Sequence, residues 1–332
     1  MSSKRQCGAP MGMNAADLRL HTGDLRQLAS VRALRLLDGP EGEQRASVLS
    51  SGGGLDMWVL PDRSMDIGPV SWRGMPMAWQ HPNGFISPSR HDPFADDGSG
   101  IERALSGFLV TCGYDSVRHS TTGAPLHGSH TLTPARITRQ VEDWRLATPA
   151  LVCEGEWTCA HLSKQAYRVQ RCIVMPVGGM SFTLEDRVEN IGHSTAPFDT
   201  LYHMNLGFPA IQGDMRLTVG LDPVNLDALH APLGSGHEPL VCCFSAEGQT
   251  SLVTRLQRSA CETWPAVDMT LTSFCDELPW LQVWQDPRPG HRILALEPAS
   301  SERTAQGGSR RPGELAPGEC KTLRLQVSFN DP

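Results

Sequence analysis

Apolar and polar residues alternate along much of this chain, and the alternation is broken at short intervals by Gly, Pro, Asn or Asp. In SFTLEDRVEN, Phe182, Leu184, Asp186 and Val188 share one face, and Asn190–Gly192 supply a turn. A period of two marks a half-buried strand, because successive side chains point to opposite sides of a sheet. The preceding RVQRCIVM and PVGGM predict a partner strand and its hairpin turn. Near the end, a Pro-Gly turn precedes Leu323, Leu325, Val327 and Phe329 on alternate positions, which predicts a final strand. Further strands are expected at Ser47–Leu49, Asp56–Leu60, Leu109–Thr111, Arg136–Val141, Leu151–Thr158, Met215–Val219, Leu281–Trp284 and Arg292–Leu296. One stretch reads differently: from Leu18 to Leu37, Leu, Val and Ala mix with charges in a helix-like way.

Many short strands and few helices predict an all-β fold of packed, mainly antiparallel sheets, a large sandwich or barrel. At 332 residues the chain could form one large domain or two average ones. Two long polar loops, His81–Gly100 and Ser300–Pro317, have strand-like segments on both sides, so neither reads as a linker. The expectation is a single domain over residues 1–332, with a partly helical N-terminal segment at 1–40.

Composition narrows the function. A formal charge of −7 and scattered basic residues argue against nucleic-acid binding. No apolar run approaches the roughly 20 residues of a membrane span, and the N-terminus lacks the apolar stretch of a signal peptide; a cytoplasmic protein is expected. The ten cysteines form no C-x-x-C pair, and a chain of this length needs no disulfide staples. Dinucleotide, P-loop, G-x-S-x-G and H-E-x-x-H motifs are missing.

Four stretches look unlike plain scaffold: PDRSMDIG (61–68), TCGYDSV with PLHGSH (111–130), LYHMNLGFP (201–209) and ILALEPAS (293–300). Taken singly, each has an ordinary reading. Arg63 can pair with Asp62 or Asp66 at a turn, His127 can serve a turn, and Glu297 can be the first exposed residue after a buried strand. Pro298 at least keeps Glu297 extended.

Together they resemble the galactose mutarotase (aldose 1-epimerase) superfamily, and most closely its bacterial DUF4432 branch. The resemblance rests on Arg63–Gly68, Val110–Gly113, Leu126–Gly128, Tyr202–Gly207, Leu296–Pro298 and Leu315–Glu319, six segments in order over nearly the whole chain. It implies a β-supersandwich that holds a sugar, with Glu297 as catalytic base and His203 as catalytic acid. It places His127 and Arg63 on the substrate, with Asp66 in the same segment as Arg63. Asn205 and Tyr202 would shape the surroundings of His203, and Trp284 and Trp79 would offer apolar platforms.

The chemistry suits anomer interconversion, in which a base takes the anomeric hydroxyl proton while an acid on the opposite side of the ring protonates the ring oxygen. Histidine titrates in the right range, and burial can raise a glutamate towards it. No metal or organic cofactor is required. The segment PLHGSH departs from the N-x-x-N-H-x-H-G-G pattern of the galactose enzymes, and their substrate-binding aspartate has only Asp268 and Asp286 as candidates. Alternatives therefore stay open: epimerisation or isomerisation at another carbon, a non-catalytic carbohydrate-binding module, or a zinc gathered by His127, His130, His203 and Glu297. Arg63, Arg303, Arg310 and Arg311 would suit an acidic or phosphorylated sugar. The expected assembly is a monomer or homodimer.

Overall fold

The computed structural model describes residues 12–118 and 123–330. Two large antiparallel sheets dominate it. The first runs, in spatial order, through Ser30–Arg35, Arg45–Ser50, Leu55–Leu60, Asp66–Trp72, Leu109–Tyr114, Ala196–Leu206, Ile293–Ala299, Trp280–Asp286 and Leu240–Ser245. The second runs through Asp222–Pro223, Arg216–Val219, Ser251–Arg258, Val267–Phe274, Cys320–Phe329, Ser181–Asn190, Ala166–Pro176, Ala150–Ala160 and Arg136–Asp143. A small hairpin, Glu302–Arg303 with Ser309–Arg310, stands apart. Among the described residues the α-helices are single turns, Ala15–Leu18, Ala95–Gly98 and Asp227–His230.

The alternating segments become strands with one face in the core. Phe182, Leu184 and Val188 are buried, as are Leu323, Leu325, Val327 and Phe329 on the neighbouring strand. These side chains meet Met57, Ile67, Tyr202 and Met204 from the other sheet in one continuous apolar cluster.

The helix-like stretch is corrected. Residues 30–35 form an edge strand, paired in register with Arg45–Ser50, preceded among the described residues by a four-residue helix and the 3-10 turn Leu25–Gln27. Leu34 and Leu37 are exposed, so no apolar face was available to stabilise a helix by packing, whereas the open edge of the neighbouring strand satisfies the backbone. The first eleven residues of the expected N-terminal segment lie outside the described residues.

One polar cluster crosses the core. Arg171 and Asp186 face each other on adjacent strands of the second sheet, joined through Nε–Oδ1 at 2.7 Å and Nη2–Oδ2 at 2.5 Å. Tyr202 of the first sheet donates its hydroxyl to Asp186 at 2.6 Å. Arg171 also donates to Thr111 Oγ1 and to the carbonyls of Ser64 and Met65. These groups are almost fully buried, as buried charge demands, with each charge held by partners.

The first sheet is covered on its other face too. Segments around Ile86, Ile101, Ala104, Val117 and Leu132 lie across it, packing on Val110, Cys112, Leu201 and Ala299. The cleft described next opens between this cover and the sheet.

Candidate active site

The strand Ala196–Leu206 is almost wholly buried. Its period of two sends Tyr202, Met204 and Leu206 into the core and turns Leu201 and His203 towards the cover. The pairs Leu201–Ala299 and Met204–Leu296 set His203 level with Glu297 on the next strand. Gln282, one strand further, pairs directly with Glu297. Three neighbouring strands thus present His203, Glu297 and Gln282 as a row across the sheet. Trp284 falls two residues along on the same face.

A cleft of about 200 Å³ opens onto this row. His203, Glu297, Gln282 and Trp284 form its floor. Ile101, Leu105, Leu126 and His127 line it from the covering loops, and Arg118 and Arg303 bring two guanidinium groups. His203 Nε2 stands 3.4 Å from Glu297 Oε1. Trp284 meets the His203 ring edge-on at 5.8 Å.

Gln282 ties the floor to the charged wall. Its amide Nε2 donates to Glu297 Oε2, and its Oε1 accepts from Arg118 Nε at 3.4 Å. An amide flip would set Nε2 against the Arg118 Nε–H, two donors facing each other, so Arg118 fixes its orientation. Arg118 is itself held by Ser301 Oγ at 2.7 Å, Ser309 Oγ at 3.0 Å and the Ser301 carbonyl at 3.0 Å.

Burial dominates the protonation of the pair. It pushes Glu297 up to about 8, although Arg118, Gln282 and Arg303 all favour the carboxylate. It pushes His203 well below the usual histidine range; His127 adds to the effect and Asn205 opposes it. Near neutral pH the pair is therefore a neutral carboxylic acid beside a neutral imidazole. It holds one proton that either group can carry.

His127 donates from Nδ1 to the carbonyl of Val117 at 3.0 Å. A carbonyl only accepts, so this contact fixes the hydrogen on Nδ1. The ring stands edge-on to His203, with centroids 5.2 Å apart. The backbone that presents it is unusual: His127 has φ +63° and Gly128 φ +87°. A Cβ on Gly128 would lie 2.5 Å from the Ser116 carbonyl oxygen and 2.8 Å from that of Gly113. Gly128→Ala should therefore cost about 1–3 kcal/mol from backbone strain alone and lower the midpoint of thermal denaturation; an unchanged midpoint would show that the PLHGSH turn can relax.

The structure gathers Glu297, His203, His127 and Trp284 at the cleft and places Asn205 behind them. Asn205 is buried, and its Nδ2 donates to the Gly107 carbonyl at 3.2 Å. Three residues expected at the site lie elsewhere. Tyr202 follows the opposite parity of its strand and reaches Asp186 in the core. Arg63 has no exposed surface; it donates to the carbonyls of Ile86 at 3.1 Å and Ala104 at 2.6 Å, stapling the cover, and burial pushes it down to about 10. Asp66 accepts from the Thr111 backbone at 2.9 Å between the sheets, where burial pushes it up to about 6.

The candidate aspartates do not line the cleft either. Asp268 pairs with Arg255, and Asp286 with Arg288 and His291. Trp79 packs near His81 and His291. Glu297 and His203, expected on opposite sides of a sugar ring, stand side by side on one wall. Sequence reasoning missed Gln282 and Arg118. Alternation in LQVWQD puts Gln282 on the same face as Trp284 and offered a signal for the first; nothing in the sequence marked the second. Among the described residues, no three His, Cys, Asp or Glu side chains gather to hold a metal ion, and no helix is long and apolar enough to cross a membrane.

The two-sheet architecture is that of galactose mutarotase-like proteins. The structure is similar to a putative aldose 1-epimerase from Klebsiella pneumoniae (TM-score 0.76, 18% identity, 92% of this chain and 86% of that one covered). It is also similar to a galactose mutarotase-like protein from Clostridium acetobutylicum (TM-score 0.62, 10% identity, 92% and 100% covered). A third likeness is to galactose 1-epimerase from Lactobacillus acidophilus NCFM (TM-score 0.51, 12% identity, 91% and 99% covered). At such identities the likeness is one of fold. A search of curated proteins found no match. The chain belongs to the family described as "Domain of unknown function (DUF4432)", whose profile matches residues 41–234.

Proposed function

We propose that this protein interconverts the anomers of a reducing sugar by acid–base catalysis with Glu297 and His203. The observation that carries this reading is the buried pair at 3.4 Å on the floor of a cleft. The anomeric hydroxyl and the ring oxygen are bonded to the same carbon. Two adjacent groups on one wall can therefore reach both atoms, with no need to flank the ring.

The proton count fits. One member of the pair accepts the hydroxyl proton as the C1–O1 double bond forms and the bond from C1 to the ring oxygen breaks. The other gives its proton to the departing ring oxygen. After rotation about C1–C2 the same hydroxyl attacks the opposite carbonyl face, and both protons return. The pair begins and ends with one proton, so either group can be the acid in a given direction. The His127 ring beside His203 and the Gln282 amide on Glu297 are positioned to orient the two and the sugar. No step needs a metal or an organic cofactor.

The same count predicts the pH dependence. Above about 8 the pair loses its only proton as Glu297 ionises, and at low pH a second proton on His203 removes the base. The rate of anomer exchange, read by saturation-transfer NMR on an equilibrated sugar, should follow a bell whose alkaline limb falls near pH 8. His203→Asn should lower it by about 10²–10⁴-fold. An exchange rate that stays flat through pH 8, with His203→Asn as fast as wild type, would overturn the assignment.

A further inference from the structure

Proton transfer between Glu297 and His203 does not account for the two guanidinium groups that line the cleft. Resting on the anomer-exchange reading, we infer that the sugar carries an anionic group, a carboxylate or a phosphate, which Arg303 binds.

Arg303 sits on the hairpin Glu302–Arg303/Ser309–Arg310. The hairpin is closed tightly: Thr304 N donates to the Gly308 carbonyl at 2.8 Å, Gly307 N to the Thr304 carbonyl at 3.0 Å, and Gly308 N to Thr304 Oγ1 at 3.0 Å. Arg118 ties its base to the sheet through Ser301 and Ser309. The arginine is therefore carried on a fixed support. Gly307, at φ +86°, leaves room for it, since a Cβ there would come within 3.2 Å of Arg303 Nη2.

The hairpin has one carboxylate, Glu302, and it is committed to Arg310 at 3.3 Å. Among the described residues no ion pair is formed by Arg303; its Nη1 donates to the Thr304 carbonyl at 3.3 Å. Its side chain is half-buried and lines the cleft.

Arg118 faces the same cleft, with each of its guanidinium nitrogens already donating. It contributes field where Arg303 contributes contacts. Two like charges thus converge; burial first, and the Arg303 charge after it, lower the Arg118 guanidinium from its ordinary value. The carboxylates lining the cleft are Glu297, neutral near pH 7, and the exposed Glu102. Among the described residues no Asp or Asn lines it to accept hydroxyl protons from a neutral sugar. A planar guanidinium with spare donors matches a carboxylate or phosphate through two parallel hydrogen bonds. The sugar would lie with its anomeric carbon on the floor and its anion at Arg303.

The test measures anomer exchange by saturation-transfer NMR for neutral hexoses, the matching uronates and the matching 6-phosphates, with wild type and Arg303→Ala. The expected result is a kcat/KM for one anionic series at least about 10-fold above its neutral parents. Arg303→Ala should cut that ratio by about 10–100-fold, as the loss of a hydrogen bond to a charged group implies. Faster exchange of uronates assigns the carboxylate, and of 6-phosphates the phosphate. Neutral parents that match both series, or a ratio unmoved by Arg303→Ala, would overturn the inference while leaving anomer exchange standing. If no sugar exchanges, the catalytic reading falls, and titration calorimetry of the same sugars on Glu297→Gln decides the inference separately. Binding of an anionic series that weakens about 10-fold when Arg303→Ala is added upholds it; no binding, or equal binding of the neutral parents, overturns it.

Discussion

Glu297→Gln should abolish anomer exchange and make the protein more stable above neutral pH. The loss of rate follows from the proton count, since glutamine neither accepts nor donates the transferred proton; a fall of about 10²–10⁴-fold is expected from removing one acid–base group. The gain in stability follows from burial. The carboxyl titrates near 8 in the folded protein, against an ordinary value of 4.5. Between these values the folded state keeps a proton that the unfolded chain has released, so stability falls as pH rises through that window, by up to about 1.4 kcal/mol per pH unit. Glutamine cannot ionise, and its side-chain oxygen still accepts from Gln282. The two proteins should unfold alike below about pH 4.5 and diverge by several kcal/mol by pH 8. Urea denaturation at a series of pH values gives the difference directly. Parallel curves at all pH values would mean that Glu297 is ionised in the folded state, and would remove the resting arrangement from which the mechanism starts.

Arg171→Ala should be the most destabilising single change in the core. It leaves Asp186 without its bidentate partner and Asp66 without the guanidinium 3.9 Å away, both inside the protein. Breaking a buried pair from one side costs about 3–5 kcal/mol. Tyr202→Phe is the milder companion. It removes one hydrogen bond to a carboxylate, worth about 1.5–3 kcal/mol, and it keeps the ring. Both should shift the urea midpoint, and Tyr202→Phe should leave the KM of the sugar in place because Tyr202 faces the core. A raised KM at unchanged stability would put that side chain in the sugar site instead.

What the sequence could disclose depended on how each strand is buried. Ser181–Asn190 and Cys320–Phe329 have one face in the core and one in water, so their alternation was readable. Ile293–Ala299 is buried throughout and carries no alternation, and its expected span fell short at the C-terminal end. Residues 30–35 misled because an edge strand with exposed leucines resembles a frayed helix in composition. At the cleft, Glu297, His203 and His127 were legible from motif segments that occur in order, and Trp284 from its place in LQVWQD. Tyr202 was not, although parity alone separates it from His203: adjacent strand residues point to opposite faces. Arg63 and Asp66 read as residues open to a ligand; the covering loops, which no local pattern announces, sealed Arg63 in, and Asp66 is buried between the sheets. Arg118 acquires its place only when Gln282 and Ser301 are brought beside it from far along the chain.

The row formed by His203, Glu297 and Gln282 also ties chemistry to folding accuracy. Its members are held level by strand pairing and not by any local turn. A slip of one residue in the His203 strand would turn Met204 or Tyr202 to the cleft and bury the imidazole among the core side chains. Such a chain would be compact, rich in sheet and catalytically silent. On the proposed anomer-exchange reading, turnover is a readout of register.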